Sequence, residues 1–120
     1  MFGLPRDIDL TFLKDKEVQQ ICIGLYQVIF YLHLETSISV ESKFSYQPRD
    51  SESPEVWVEG CPVIAWHLPR LLGSSIIDVQ VLAKGTLRLK FSNGDELLIY
   101  DENDKYESYQ ITCGQRTIII

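Results

Sequence analysis

The fold is decided by residues 86–100, which read Thr-Leu-Arg-Leu-Lys-Phe-Ser-Asn-Gly-Asp-Glu-Leu-Leu-Ile-Tyr. Between Leu87 and Phe91, apolar residues alternate with basic ones, and a period of two is typical of a half-buried antiparallel strand. Asn93 and Gly94 follow, a pair that favours a two-residue hairpin turn because both residues tolerate positive φ. The stretch therefore predicts a β-hairpin.

The same pattern occurs earlier in the chain, at an offset of 59 residues (72 − 13). Residues 13–41 superpose on residues 72–100 without a gap, with apolar residues over apolar ones and polar interruptions over polar ones. Leu13 then falls on Leu72. Internal similarity of this length predicts two equivalent halves, which we expect to be related by a pseudo-twofold axis.

Each copy is interpreted as a meander of three antiparallel strands. In the two copies, strands are predicted at residues 18–23, 27–34, 76–82, 86–91 and 96–100. Further strands are predicted at residues 56–58, 106–112 and 117–120. Residues 35–37 are expected to form the turn of the first copy. The connecting segment 42–71 is predicted to contain a surface loop, and residues 61–72 a short helix or a pair of helical turns, which Pro69 ends or bends.

These elements predict a mainly β (α+β) fold within a single domain spanning residues 1–120. Two duplicated three-stranded antiparallel meanders would pack as a small sandwich or open barrel, with one or two short helices. Residues 28–34 are apolar on both faces. A strand of this kind is covered on both sides, either within the monomer or at a homodimer interface.

Charge and cysteine content narrow the function classes. The formal net charge is −6, which disfavours nucleic acid as a partner because phosphate binding needs a positive patch. Cys22, Cys61 and Cys113 have no CxxC spacing, so we expect reduced, structural thiols. The sequence shows no signal peptide pattern and no apolar stretch long enough for a membrane span, so the expected location is the cytoplasm.

Candidate residues for chemistry are few. The histidines are His33, interpreted as packed within its strand, and His67, interpreted as lying on a helix surface or half-buried. Neither has a partner at zinc-site spacing, and Cys61 beside Glu59 lacks a feature that would lower its pKa. The sequence therefore predicts no catalytic residue, no cofactor and no metal site, and a protein that is not an enzyme.

An acidic and aromatic surface is the remaining candidate site. Acids are dense between residues 94 and 107, and again between residues 41 and 59. The predicted partner-binding residues are Asp95, Glu96, Asp101, Glu102, Asp104, Tyr106, Glu107, Tyr109, Trp57, Glu55 and Glu59. Such residues can form a binding patch, because exposed aromatic side chains anchor interfaces and charge steers association. The alternative interpretation is a solvated acidic surface whose aromatic residues are buried.

Three features carry a resemblance: the repeated Leu-x-x-x-x-Val unit, the hairpin Phe-Ser-Asn-Gly-Asp at residues 91–95, and Tyr-Glu-Ser-Tyr-Gln-Ile at residues 106–111. Together they resemble a family of small bacterial proteins similar to toxin-immunity proteins of the contact-dependent growth inhibition type. The resemblance covers most of the chain and transfers no catalytic residue. It implies an immunity protein that binds and neutralises a basic toxin domain, for example a cationic nuclease.

Two other hypotheses stay open. The first is a homo-oligomeric structural or housekeeping module without a toxin partner, with residues 28–34 at a homodimer interface. The second is an enzyme, which would require a pocket joining His67 to Cys61 or to a carboxylate.

Overall fold

Alternating apolar residues form ten β-strands in the part of the chain that the computed structural model describes, which comprises residues 10–50, 54–57, 67–82, 85–101 and 109–119. The strands are β1 (Val18–Ile23), β2 (Val28–Leu32), β3 (Thr36–Val40), β4 (Phe44–Gln47), β5 (Glu55–Trp57), β6 (Ile76–Val81), β7 (Leu87–Phe91), β8 (Glu96–Ile99), β9 (Tyr109–Cys113) and β10 (Arg116–Ile119). Two 3-10 turns, Thr11–Leu13 and Leu68–Leu71, precede β1 and β6.

The strands form two antiparallel sheets. The first sheet has the order β1-β2-β3-β9-β10, and the second has the order β5-β4-β8-β7-β6. Their inner faces pack together, as shown by Phe30 of the first sheet and Phe44 of the second, whose rings meet edge to face at 5.9 Å. The predicted mainly β fold is therefore confirmed, and of the two predicted forms the sandwich is the observed one.

The two halves exchange strands. In the first sheet β3 pairs with β9, and in the second sheet β4 pairs with β8. The two pairings are equivalent residue by residue. Val40 of β3 pairs with Tyr109 of β9, and Ile99 of β8, the counterpart of Val40, pairs with Phe44 of β4. The repeated unit therefore includes five strands instead of the three in the predicted meander, and β4 was missed from the sequence.

Matched hydrogen bonds relate the two halves where β1 and β6 begin. The amide of Val18 donates to Ser74 O at 2.8 Å, and the equivalent amide of Ile76 donates to Lys16 O at 3.0 Å. Between them lies the antiparallel bridge of Glu17 with Ser75. These reciprocal contacts are what a pseudo-twofold axis through that bridge requires.

The offset between halves is not constant. In the hairpins it is 59 (87 − 28), because Val28 pairs with Val40 as Leu87 pairs with Ile99. In the first strands it is 58 (76 − 18), because Val18 faces Leu32 as Ile76 faces Phe91. The connection between β6 and β7 is one residue longer than the connection between β1 and β2. The gap-free superposition is therefore wrong for the residues that precede these connections.

The Asn93–Gly94 hairpin is present, with a different turn. Gly94 has a φ of +94°, while Asn93 is not among the described residues with positive φ. The amide of Gly94 donates to Phe91 O, and that of Phe91 donates to Asp95 O. This pattern is a three-residue loop ending in a bulge at glycine, in place of the predicted two-residue turn.

The described part of the predicted helical segment 61–72 forms one helical turn. Leu68–Leu71 is a single 3-10 turn that contains Pro69 in its first positions, where the missing amide proton costs no hydrogen bond. Pro69 therefore lies inside the helical turn and does not end it. The first part of the predicted helix, residues 61–66, lies outside the described residues.

Strand β2 is buried on one face only. Val28, Phe30 and Leu32 point into the core, whereas Tyr31 is 40% exposed. The predicted strand over residues 27–34 is thus shorter and is not covered on both sides within the monomer. The turn follows at residues 33–35 in place of 35–37, with Leu34 and Glu35 both at positive φ.

Candidate functional site

Both described aromatic residues of the predicted acidic surface are buried. Trp57 stacks on Phe44 with ring centroids 5.4 Å apart. Tyr109 lies beside Val40 in the first sheet, and its hydroxyl donates to Gly85 O at 2.9 Å. Both residues are inaccessible to solvent. The prediction that they anchor a partner is wrong. Trp57 lies on the inner face of the edge strand β5, and Tyr109 lies on the inner face of β9, so both side chains are in the core.

Asp95 is likewise a buried structural residue. Its carboxylate accepts hydrogen bonds from the backbone amide of Arg49 at 2.9 Å and from the Tyr46 hydroxyl, and the Arg70 guanidinium lies 3.3 Å away. The Asn93 side chain also contacts the carboxylate. Asp95 therefore joins its hairpin to the loop after β4 and to the second 3-10 turn. Its prediction as an exposed binding residue is wrong.

The other acids of the predicted surface are paired, buried or outside the described residues. Glu96 binds the Arg88 Nε at 2.5 Å, and Glu55 contacts His67 Nδ1. Asp101 is 6% exposed, so its predicted exposure is also wrong. Residues Glu59, Glu102, Asp104, Tyr106 and Glu107 lie outside the described residues.

The two histidines differ in environment. His33 lies in the exposed turn after β2, where Gln19 Nε2 approaches its ring at 3.2 Å, so the prediction of a packed histidine is wrong. His67 is half-buried, as predicted, and stacks on the Tyr46 ring at 6.2 Å. The structure thus joins His67 to a carboxylate, that of Glu55.

Other reactive groups are sparse within the described part of the chain. No group of three histidines, cysteines or acids there is placed to hold a metal ion. Cys22 and Cys113 are half-buried free thiols, and Cys61 lies outside the described residues. No helix among the described residues has the length and apolarity needed to cross a membrane.

The buried tyrosines carry raised pKa values. Burial raises the pKa of Tyr109 above its ordinary value, and the charge of Asp101 adds to the effect. Burial also raises the pKa of Tyr46, which is further raised by its hydrogen bond to Asp95. Both hydroxyls therefore stay protonated in the folded chain at pH values where the unfolded chain loses these protons.

We expect the protein to lose stability in alkali. The contribution of Tyr109 is fully present below about pH 10, and above it the unfolded chain binds fewer protons, so the free energy of unfolding falls. Urea denaturation between pH 9 and pH 11 should show this fall. Tyr109→Phe should flatten it by up to about 1.4 kcal/mol per pH unit, and Tyr26→Phe, at an exposed position, serves as control. Equal slopes for wild type and Tyr109→Phe would contradict the assignment.

An exposed apolar ridge, which the sequence analysis missed, lies where β1 ends and turns into β2. It consists of Ile23, Leu25 and Tyr26, which are 47%, 47% and 66% exposed. The amide of Gly24 donates to Gln27 O at 2.8 Å, which closes this tight turn. Apolar side chains in a tight turn are the signal in the sequence, since turns favour polar residues.

Tyr109, at the start of β9, lies at the same end of the first sheet. Val28, the first residue after the turn, pairs with Val40, and Val40 pairs with Tyr109. The acids Glu102, Asp104 and Glu107 precede Tyr109 in the sequence and lie outside the described residues.

The second sheet carries a concave region on its outer face, here called the sheet-face depression. Its volume is about 370 Å³, and its lining includes Lys43, Ser45, Val56, Arg88, Leu98 and Tyr100. Depressions of this size lie at the lower end of those that bind small ligands.

Comparisons with known proteins give no relative. No family model, no curated protein and no solved structure matches this chain.

Proposed function

We propose that this chain is a non-enzymatic binding protein, an immunity protein that binds and neutralises a cognate bacterial toxin domain inside the producing cell. The observation that carries the proposal is the exposed apolar ridge of Ile23, Leu25 and Tyr26 in a chain of formal net charge −6. Exposed apolar side chains beside charged ones are the usual composition of a protein interface.

The apolar ridge and the acids of the chain have different roles in this proposal. Tyr26 and Leu25 act as anchors, since a large aromatic side chain buried at an interface contributes much of the binding energy. The acids steer a basic partner, in keeping with the formal net charge of −6. A cationic nuclease fits this description because its active site must attract phosphate, and carboxylates can occupy the same positive potential.

The test is co-purification with the toxin domain encoded immediately upstream of this gene. Tyr26→Ala should weaken the complex about 30-fold, the effect of a 2 kcal/mol hot spot. Tyr31→Ala is the matched control, because Tyr31 is also exposed but lies on the outer face of β2 away from the turn. Equal effects of the two changes, or an upstream gene without a toxin domain, would contradict the proposal.

One observation favours the second candidate function, a homo-oligomeric module. In residues 28–34, Tyr31 and Leu34 expose 40% and 66% of their surface in the monomer, and a second copy would cover them. Size-exclusion chromatography with light scattering separates the two functions. A tight homodimer that binds no basic toxin domain supports the module, and a monomer excludes it.

A further inference from the structure

We propose that the outer face of the first sheet is an interface for a second copy of this chain. This interface is separate from the apolar ridge and goes beyond the proposed toxin partner. It takes in all the strands of the first sheet, in the order β1-β2-β3-β9-β10, and not residues 28–34 alone. Three properties of the face support a second copy as its occupant, namely its charge, its hydrogen-bonding groups and its size.

Two cross-strand rows make up this outer face, here called the uncharged face, and each row takes one residue from every strand. The first row consists of Gln20, Tyr31, Ser37, Thr112 and Thr117. The second row consists of Cys22, Ile29, Ser39, Gln110 and Ile119. Both rows lie on the outer side of the sheet, because side chains alternate along a strand and the intervening residues Phe30, Ile38 and Ile111 are buried in the core.

No residue of these two rows is charged, although charged residues make up 23% of the chain. The pseudo-twofold axis supplies a comparison, because it places equivalent positions on the outer face of the second sheet. Four of those equivalent positions are charged, with Asp78, Arg88, Lys90 and Glu96 in place of Gln20, Ile29, Tyr31 and Ser37. The fold therefore accepts charges at these positions, and the first sheet has none there. Depletion of charged residues is the compositional mark of the core of an interface.

The hydrogen-bonding groups of the uncharged face favour a second copy of the same face. In a twofold dimer the same surface lies on both sides of the contact, so its groups meet groups of their own kind. Hydroxyls and carboxamides both donate and accept hydrogen bonds, whereas a carboxylate only accepts and an ammonium only donates. Thr112 and Thr117 already form such a pair, with their Oγ1 atoms 3.4 Å apart. Tyr31 and Ile119, which are 40% and 42% exposed, add apolar surface for burial.

The net charge of the chain favours the same face. Each copy has a formal net charge of −6, so two copies repel each other. This repulsion is weakest when they approach through faces that carry no charge, because their charges then stay furthest apart. A basic partner, in contrast, gains no attraction from a face without carboxylates.

The size of the uncharged face predicts a weak and reversible dimer. Five strands spaced about 4.8 Å apart, each about 17 Å long, give a footprint of roughly 400 Å² per copy. A footprint of this size is at the small end of specific protein interfaces, where transient complexes are common. We therefore expect a dissociation constant on the order of 10 µM.

Sedimentation equilibrium from about 1 to 500 µM brackets this dissociation constant and tests the interface. A reducing agent in the buffer excludes a disulfide between the Cys22 residues of two copies. We expect the wild type to pass from monomer to dimer across this range. Ser37→Glu places a carboxylate on the central strand β3, where the two copies of the residue lie close together in a twofold dimer. The variant should dimerise at least about 100-fold more weakly, because like charges then face each other.

Gln80→Glu is the matched control for Ser37→Glu. It adds the same charge to the outer face of the second sheet, where the Arg88 guanidinium lies 3.2 Å from the side-chain oxygen of residue 80. The net charge of the two variants is equal, so a general effect of charge would weaken both. We expect Gln80→Glu to dimerise as the wild type does.

A pair of variants with opposite charges makes the test independent of folding defects. Ser37→Lys alone should also stay monomeric, since like charges again face each other. An equimolar mixture of Ser37→Glu and Ser37→Lys should form dimers, because opposite charges then meet across the interface, and misfolded chains would not do so. A wild type that stays monomeric throughout the range, equal losses in Gln80→Glu and Ser37→Glu, or a mixture that stays monomeric would each overturn the proposal.

Discussion

Leu71→Ala is expected to lower the free energy of unfolding by about 3 kcal/mol, whereas Leu72→Ala should lower it by less than about 0.5 kcal/mol. Leu71 is completely buried, and Leu72 is 49% exposed. A buried leucine replaced by alanine loses its apolar contacts and leaves a cavity. An exposed leucine has little to lose. Urea denaturation monitored by circular dichroism measures both values.

These two variants also discriminate between the alignments of the halves. The gap-free superposition makes Leu72 the counterpart of Leu13, which is buried. The structure makes Leu71 the counterpart of Leu13. Asp15, two residues after Leu13, and Gly73, two residues after Leu71, both adopt positive φ. A larger loss for Leu72→Ala than for Leu71→Ala would restore the offset of 59 in this region.

Asp95→Ala should lower the free energy of unfolding by about 3 kcal/mol. The change removes the acceptor shared by the Arg49 amide and the Tyr46 hydroxyl, and it removes the buried partner of Arg70. A buried donor that loses its acceptor carries the full cost of its desolvation. Urea denaturation at pH 7 gives the loss.

Glu96→Gln is the neighbouring control for Asp95→Ala. Glu96 follows Asp95 directly but pairs with Arg88 at the surface, where ion pairs contribute less than about 1 kcal/mol. If both changes cost the same, Asp95 would not be the structural centre of its hairpin. A double-mutant cycle with Arg70→Met would then show no coupling between residues 70 and 95.

Most strands, with the exception of β4, and the positions of the hairpins to within about two residues could be predicted from the sequence because they depend on local patterns. Alternation in residues 87–91 sets the buried face of β7, and Gly94 supplies the positive φ that the turn needs. The exchange of strands could not be predicted. Phe44 and Tyr109 are equivalent at an offset of 65 (109 − 44), which lies outside the register of the visible repeat.

The candidate site was predicted less well, because exposure is a tertiary property. Asp95 follows a turn, where acids are usually solvated, and its burial depends on Arg49 and Arg70, which distant segments bring to it. Trp57 is buried because the second sheet continues past β4 to β5. Conversely, Tyr26 lies in the break between the strands predicted over residues 18–23 and 27–34, and its exposure as part of an apolar ridge was not predicted.

The exchange of strands between halves sets an order of events during protein synthesis. When β3 has just been translated, its partner β9 lies 69 residues (109 − 40) further along the chain, a delay of roughly 3 to 14 s at common elongation rates. Neither sheet is complete in that interval, and the nascent chain exposes β3 and β4 as open edges. Closure of the interior therefore follows translation of β9, and until then the newly made polypeptide carries unpaired strand edges that can pair with other chains.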